Sequence, residues 1–223
     1  MSRVRPAMLR PFSRLTLSPT SVYSFSRLCG GIWETILSGS ILQPAGERRR
    51  PTFGGCPMRF SLIDRIDELE PGVRIVAVKA LSLAEEYLAD HFPGFPVMPG
   101  VLMLEAMTEA GAWLVRASED FAHSMVVLKE AKAVKYGHFV EPGQTLRVTA
   151  EVTGQTERET TLKTRGSVDG RTTVGAKLVL ERYNLADEQP TRTSTDETVR
   201  KEMRALFALL WQPNPEGAES SAT

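Results

Sequence analysis

Cysteine is nearly missing from this 223-residue chain, and the two that occur, Cys29 and Cys56, both precede residue 57. The remainder therefore has no disulfide and no thiolate metal site to rely on. Histidine is equally scarce. His91, His123 and His138 are the whole set and fall in no His-Glu-x-x-His spacing, so no metal is expected. The chain also lacks a nucleophile elbow, a dinucleotide fingerprint and a Walker loop, and no cofactor is implied. No stretch approaches the ~20 apolar residues needed to span a bilayer. His123 and His138 are expected to serve structure.

The zero net charge hides an asymmetry. Residues 1–57 carry eight Arg, no Lys and two Glu, whereas residues 58–223 carry 19 basic and 25 acidic groups. An acidic domain is a poor match for nucleic acid. The 42% hydrophobic content is enough for one sizeable core. Residues 1–57 show no sustained periodicity and are expected to hold little packed structure, either as an Arg- and Ser-rich transit peptide or, the favoured reading, because translation starts at Met58. The folded part is expected to be soluble and cytoplasmic.

What the chain does have is concentrated in residues 91–115, HFPGFPVMPGVLMLEAMTEAGAWLV. Pro93, Pro96 and Pro99 hold a loop open, and Pro99-Gly100 sits where a helix begins, so a helix is predicted from about Gly100 to about Arg116. From Val101 to Val115 its polar side chains are Glu105, Thr108 and Glu109. A helix apolar on nearly every side belongs in the domain centre. Burial there favours the protonated form of Glu105, which suits a general acid, while the His91 imidazole can accept a proton near neutral pH. The free N–H groups at the helix start can polarise a carbonyl oxygen.

Flanking segments read as strands. An apolar segment around Phe60 to Ile66 leads to a Glu70-Pro71-Gly72 turn and a strand over Val73 to Leu81. After the helix come a compact strand, Ser124 to Leu128, a second extended piece, Ala131 to Val140, and a turn at Glu141-Pro142-Gly143. Leu146, Val148, Ala150 and Val152 then alternate with polar residues, as in a half-buried antiparallel strand. Asp169-Gly170 joins strands at 160–168 and 172–182 as a hairpin. One buried helix with several antiparallel strands indicates an α+β domain whose sheet wraps the helix. Residues 184–197 read as a flexible linker and 198–211 as a short amphipathic helix, with Val199, Met203, Leu206, Phe207 and Leu210 at helical spacing. That helix is expected on its own domain or a neighbouring subunit, since its polar face is not strongly basic. Residues 212–223 are expected to be disordered.

The run HFPGFPVMPGVLMLEAM closely resembles the signature of the 3-hydroxyacyl-[acyl-carrier-protein] dehydratases of the FabZ group, and the likeness extends in order of elements over roughly residues 58–183. It implies a hotdog fold and dehydration of a (3R)-hydroxyacyl thioester to the trans-2-enoyl thioester. His91 would be the base, Glu105 the acid and the Gly100 N–H the thioester-carbonyl donor. The implied partner is an acyl carrier protein. The implied assembly is a homodimer whose sites pair His91 of one subunit with Glu105 of the other, either alone or as a trimer of dimers.

An aliphatic chain needs an apolar tunnel, for which Phe95, Val97, Met98, Val101, Leu102 and Met125 are candidates, each equally suited to plain core. Lys129, Lys132 and Lys135 are candidates for meeting an acidic carrier protein, or form a solvated charged face. Two positions depart from the family: Glu109 stands where Gln is usual, and AVKYGHFVEPGQTL replaces a more basic segment. Glu109 is expected either to couple to Glu105 or to pair with a cation or solvent. Rival readings are a hotdog acyl thioesterase and a noncatalytic acyl-carrier-binding subunit. A related dehydratase that also isomerises usually has Asp at the acid position, so Glu105 favours simple dehydration.

Overall fold

The structure is a computed structural model and describes residues 61–212. The expectations for residues 1–57 and for all but the first residue of 212–223 lie outside that range.

Six antiparallel strands form one sheet in the order β1-β2-β4-β5-β6-β3. They are β1 Arg65–Glu70, β2 Arg74–Ala80, β3 Met125–Tyr136, β4 Thr145–Gln155, β5 Glu159–Val168 and β6 Arg171–Tyr183. One long helix, α1 (Gly100–Ser118), lies between β2 and β3 in sequence and packs against β2 to β6. The wrap of sheet around helix, expected from the run of alternating strands, is what is seen.

The alternation explains the wrap. In β5 every second residue from Thr160 to Val168 is buried, and Leu146, Val148 and Ala150 of β4 are fully buried. Cross-strand pairing sets these residues in rows, Ile75–Ala150–Thr164–Ala176 and Ala77–Val148–Gly166–Val174. The small members let the sheet curl over the helix. At the closest approach, a Cβ added to Gly111 would stand 2.5 Å from Leu162 Cδ1, so a larger residue would fit between helix and β5 only if the buried Leu162 side chain moved. At the β5–β6 turn, Asp169 and Gly170 have φ of 48° and 77°, the left-handed pair that a tight hairpin requires.

Three expectations need correction. The chain forms a strand at Arg65–Glu70, where the sequence suggested only an apolar segment ending near Ile66. Of its six residues only Ile66 is buried, so this edge strand carries almost no apolar pattern. The two pieces expected at Ser124–Leu128 and Ala131–Val140 are one strand, β3, ending at Tyr136 and broken in register near Leu128/Glu130 and Lys132/Lys135. Ala133 has a φ of 50°, and such bulges interrupt the period-two pattern that a sequence displays.

The third concerns residues 184–197, which are not a flexible linker. They form two 3₁₀ turns, Leu185–Asp187 and Pro190–Arg192, and the start of helix α2, Thr193–Leu210. Asp196, only 2% exposed, ties them down. Its carboxylate accepts hydrogen bonds from the Ser124 hydroxyl and from the N–H groups of Leu185 and Ala186, both at 2.9 Å. α2 packs on its own domain. Phe207 meets Trp113 of α1 at 6.0 Å between ring centroids and Phe121 at 5.5 Å, and the Arg204 guanidinium lies 5.3 Å over Phe121.

Burial alone would raise the proton affinity of Asp196, but the Ser124, Ala186 and Leu185 donors, with Arg200, outweigh it and hold the carboxyl below its usual range. The stabilisation is therefore present above the ordinary carboxylate range and lost as pH falls through the lowered folded-state value. We predict that Asp196→Asn costs about 2 kcal/mol in urea unfolding at pH 7, and that the gap to the parent narrows on acidification. Equal stability at pH 7 would contradict the role given to Asp196.

Candidate active site

Residues 91–100 form a compact loop feeding α1. Phe92 and Phe95 exchange backbone hydrogen bonds of 3.2 and 2.9 Å around Gly94, and the Val97 N–H reaches the His91 carbonyl at 3.0 Å. A cis peptide joins His91 to Phe92, whose ring stacks on the imidazole at 4.3 Å. The Met98 N–H donates to the Val140 carbonyl at 2.9 Å, which anchors the loop to the segment after β3.

His91 Nδ1 lies 2.9 Å from the Val97 carbonyl oxygen. A carbonyl only accepts, so Nδ1 carries the hydrogen and Nε2 presents its lone pair. The imidazole is thus held in the tautomer a base needs.

Glu105 lies one and a half turns into α1 and is half-buried. Among the described residues no donor reaches its carboxyl, and burial, followed by the charge of Glu109, pushes its proton affinity above the ordinary glutamate value. No hydrogen bond or ion pair joins His91 to Glu105 within one chain among the described residues. Proximity of the two was not expected inside a single subunit.

The N–H groups of Gly100 and Val101 have no partners among the described residues, because no helical turn precedes them, and the first carbonyl in the ladder, Pro99 O, accepts from Leu102 at 3.0 Å and Met103 at 3.2 Å. Two N–H groups at a helix start can stabilise charge on a carbonyl oxygen. The Tyr136 ring covers this turn, and a Cβ on Gly100 would stand 2.9 Å from its Cε1.

The six tunnel candidates divide. Val97, Met98 and Met125 are core, and Leu102 is partly buried against it, while Phe95 and Val101 are 49% and 42% exposed. A cleft of about 420 Å³ on the outer side of the loop, bordered by Leu83, Glu85, Leu88, Phe92, Pro93 and Pro96, includes none of them. The three lysines divide too. Lys129 reaches Glu159 at 2.6 Å and Lys132 reaches Glu130 at 2.7 Å, whereas Lys135 is exposed and makes no ion pair among the described residues. His123 is bound to Glu119 at 2.7 Å. His138 is exposed, and among the described residues it has no hydrogen bond that would give it a structural role.

Among the described residues no cation reaches Glu109, which is half-buried and held by hydrogen-bond donors instead. It accepts hydrogen bonds from the Ser61 hydroxyl at 2.7 Å and from the Leu62 and Ile63 N–H groups at 2.8 and 3.3 Å. Nothing in the sequence marks these donors, which lie 46 to 48 positions away. Tyr136 was likewise noted only as part of a departing segment, since a ring lying over a distant glycine leaves no local signature.

Proton transfer beside a polarised carbonyl is the chemistry such an arrangement serves, on a hotdog scaffold. The FabA-like domain model matches residues 56–181, over half of the chain, and the chain belongs to that family. Its curated relatives include 3-hydroxyacyl-[acyl-carrier-protein] dehydratases FabZ. That of Ruminiclostridium cellulolyticum is 39% identical over 50% of this chain and 79% of its own length. That of Chloroflexus aggregans is 38% identical over 60% and 89%. Among solved structures, the dehydratase heterocomplex ApeI:P from Xenorhabdus doucetiae is similar with a TM-score of 0.49 and 16% identity, covering 60% of this chain and 90% of that one.

The contact over Gly100 is testable. Gly100→Ala and Tyr136→Ala should show a coupling of at least about 0.5 kcal/mol in a double-mutant unfolding cycle, because removing the ring makes room for the methyl group. Strict additivity would place the ring elsewhere.

Proposed function

We propose that this chain dehydrates (3R)-hydroxyacyl-[acyl-carrier-protein] to the trans-2-enoyl thioester in fatty-acid or related lipid synthesis, with His91, Glu105 and Gly100 as its working groups. The observation that carries the site assignment is the Glu105 carboxyl, half-buried, without a donor among the described residues and raised in proton affinity by burial. Nε2 of His91 removes a C2 proton, the C–H electrons form the C2=C3 bond, and the C3–O bond breaks as Glu105 protonates the departing hydroxyl to water. The Gly100 N–H bonds the thioester oxygen while charge gathers there. Proton exchange with solvent then restores both side chains.

The reading includes a homodimer in which His91 and Glu105 of opposite protomers flank one substrate. Three features favour it. The two side chains are unconnected within a chain, β3 is a twelve-residue edge strand paired only with β6, and Phe92, Phe95, Val101, Tyr136 and Phe139 stand 42–56% exposed around the His91 loop. A patch of that size is a liability unless covered. Phe95 and Val101, covered by a second copy, would join Leu102 as walls for an acyl chain, with Val97, Met98 and Met125 behind them. Lys135 is the lysine best placed to meet an acidic carrier protein, with Lys129 and Lys132 held by sheet carboxylates. Among the described residues no helix is long and apolar enough to cross a membrane, and a cytoplasmic setting is part of the proposal.

Neither rival is favoured by a specific observation. Mixing His91→Ala and Glu105→Ala subunits should restore activity that each homodimer lacks, up to about a quarter to a half of the parent, because one intact site forms per heterodimer. Mass spectrometry of the acyl-carrier thioester reads loss of water, and release of free thiol would instead indicate a thioesterase. No recovery in verified heterodimers would rule out the shared site.

A further inference from the structure

The reaction as drawn leaves Glu109 idle, yet it is one of the most heavily hydrogen-bonded carboxylates in the domain. It sits four residues after Glu105, on the same face of α1 and one turn away. One oxygen takes the Leu62 and Ile63 N–H groups at 2.8 and 3.3 Å, and the other takes the Ser61 hydroxyl at 2.7 Å. All three donors come from the segment leading into β1.

Two carboxylates one turn apart in a water-poor setting do not both ionise cheaply, so the pair tends to hold one proton between them. Which member keeps it depends on what each can offer a negative charge. Glu109 offers three donors, two of them backbone N–H groups fixed in place. Glu105 offers none among the described residues. We propose that Glu109 is a positioning residue for the acid: its seat at residues 61–63 keeps the pair's negative charge on Glu109 and its proton on Glu105. This rests on the reading of Glu105 as the acid and adds what keeps it loaded.

Among the described residues no competing charge is supplied, and Glu109 is the one charged group that acts on Glu105. The sheet turns Ile75, Ala77, Leu146, Val148, Leu162 and Leu178 inward, and the buried cations are engaged elsewhere: Lys79 by Glu85, Arg116 by the His123 and Ser124 carbonyls, and Arg182 by Glu119. Burial pushes Glu109 upward as well, and the Ser61, Leu62 and Ile63 donors, followed by the Trp113 indole, pull part of that rise back without cancelling it. The balance therefore depends on the 61–63 segment, and displacing that segment would return part of the proton to Glu109.

The sign of the effect follows. Glu105 must be protonated to act, so activity falls as pH rises through its titration. Removing the neighbouring charge lets Glu105 ionise earlier and moves that alkaline limb to lower pH. Glu109→Gln is the suitable variant, since its amide oxygen still accepts from Leu62 and Ile63 and its NH₂ can donate to the Ser61 oxygen.

The test is a ¹³C carboxyl titration of the ligand-free full chain, with the Glu105 signal identified by its loss in Glu105→Gln. Glu105 should titrate at lower pH in Glu109→Gln than in the parent, and Ser61→Ala should move it part of the way. An unchanged Glu105 midpoint in Glu109→Gln overturns the proposal. In the dehydration assay, Glu109→Gln should lower the rate on the alkaline limb roughly threefold or more at an unchanged melting temperature. A limb that shifts in Glu109→Ala but stays fixed in Glu109→Gln would assign Glu109 a packing role and also overturn it. If the parent proves unable to dehydrate any 3-hydroxyacyl thioester, the proposed function fails, while the carboxyl titration still decides where the proton resides.

Discussion

A carboxyl group placed in an apolar helix without a donor is the constraint around which this domain is arranged. Glu105 on a surface helix would be an ordinary ionised side chain. Inside the wrap of β2 to β6, with Met103, Leu104, Ala106 and Met107 buried on either side, its charge is costly and its proton affinity is raised. The sheet rows that clasp α1, the glycine at position 111 that lets β5 approach, and the proline-held loop that starts the helix all contribute to that environment. The same helix start leaves the Gly100 and Val101 N–H groups free among the described residues, so the proposed acid and the proposed carbonyl donors belong to one element.

The helix ends carry different tasks. At the N-terminal end the loop from His91 to Pro99 is closed by its own backbone hydrogen bonds and leaves apolar side chains exposed, as an association surface does. At the C-terminal end α2 covers Trp113 and Phe121 with Phe207, and Asp196 secures the connection through Ser124.

Much of this was legible in the chain because it is local. Pro99-Gly100 marks the start of α1 to the residue, the apolar run marks its burial, and Leu146, Val148 and Ala150 announce the inner face of β4. Asp169-Gly170 announces the hairpin. What escaped is non-local or lacks a period. β1 is a charged edge strand with one buried residue, and β3 is interrupted by bulges that erase its alternation. Residues 184–197 look like a linker because they are polar and threonine-rich, yet one aspartate binds back across 72 positions to Ser124. The donors to Glu109 are invisible for the same reason, since two of the three are backbone N–H groups that any residue type would supply. His91 was readable as a candidate base, but the Val97 carbonyl that selects its imidazole tautomer was not.

The central claim is that Glu105 delivers a proton that nothing else in the site can deliver. Its most direct test is the single-turnover rate of Glu105→Gln on a 3-hydroxyacyl carrier-protein thioester, measured beside its melting temperature and its affinity for the carrier. The account predicts a rate lower by about a thousandfold, with folding and carrier affinity kept. A variant that dehydrates within a few-fold of the parent would contradict it.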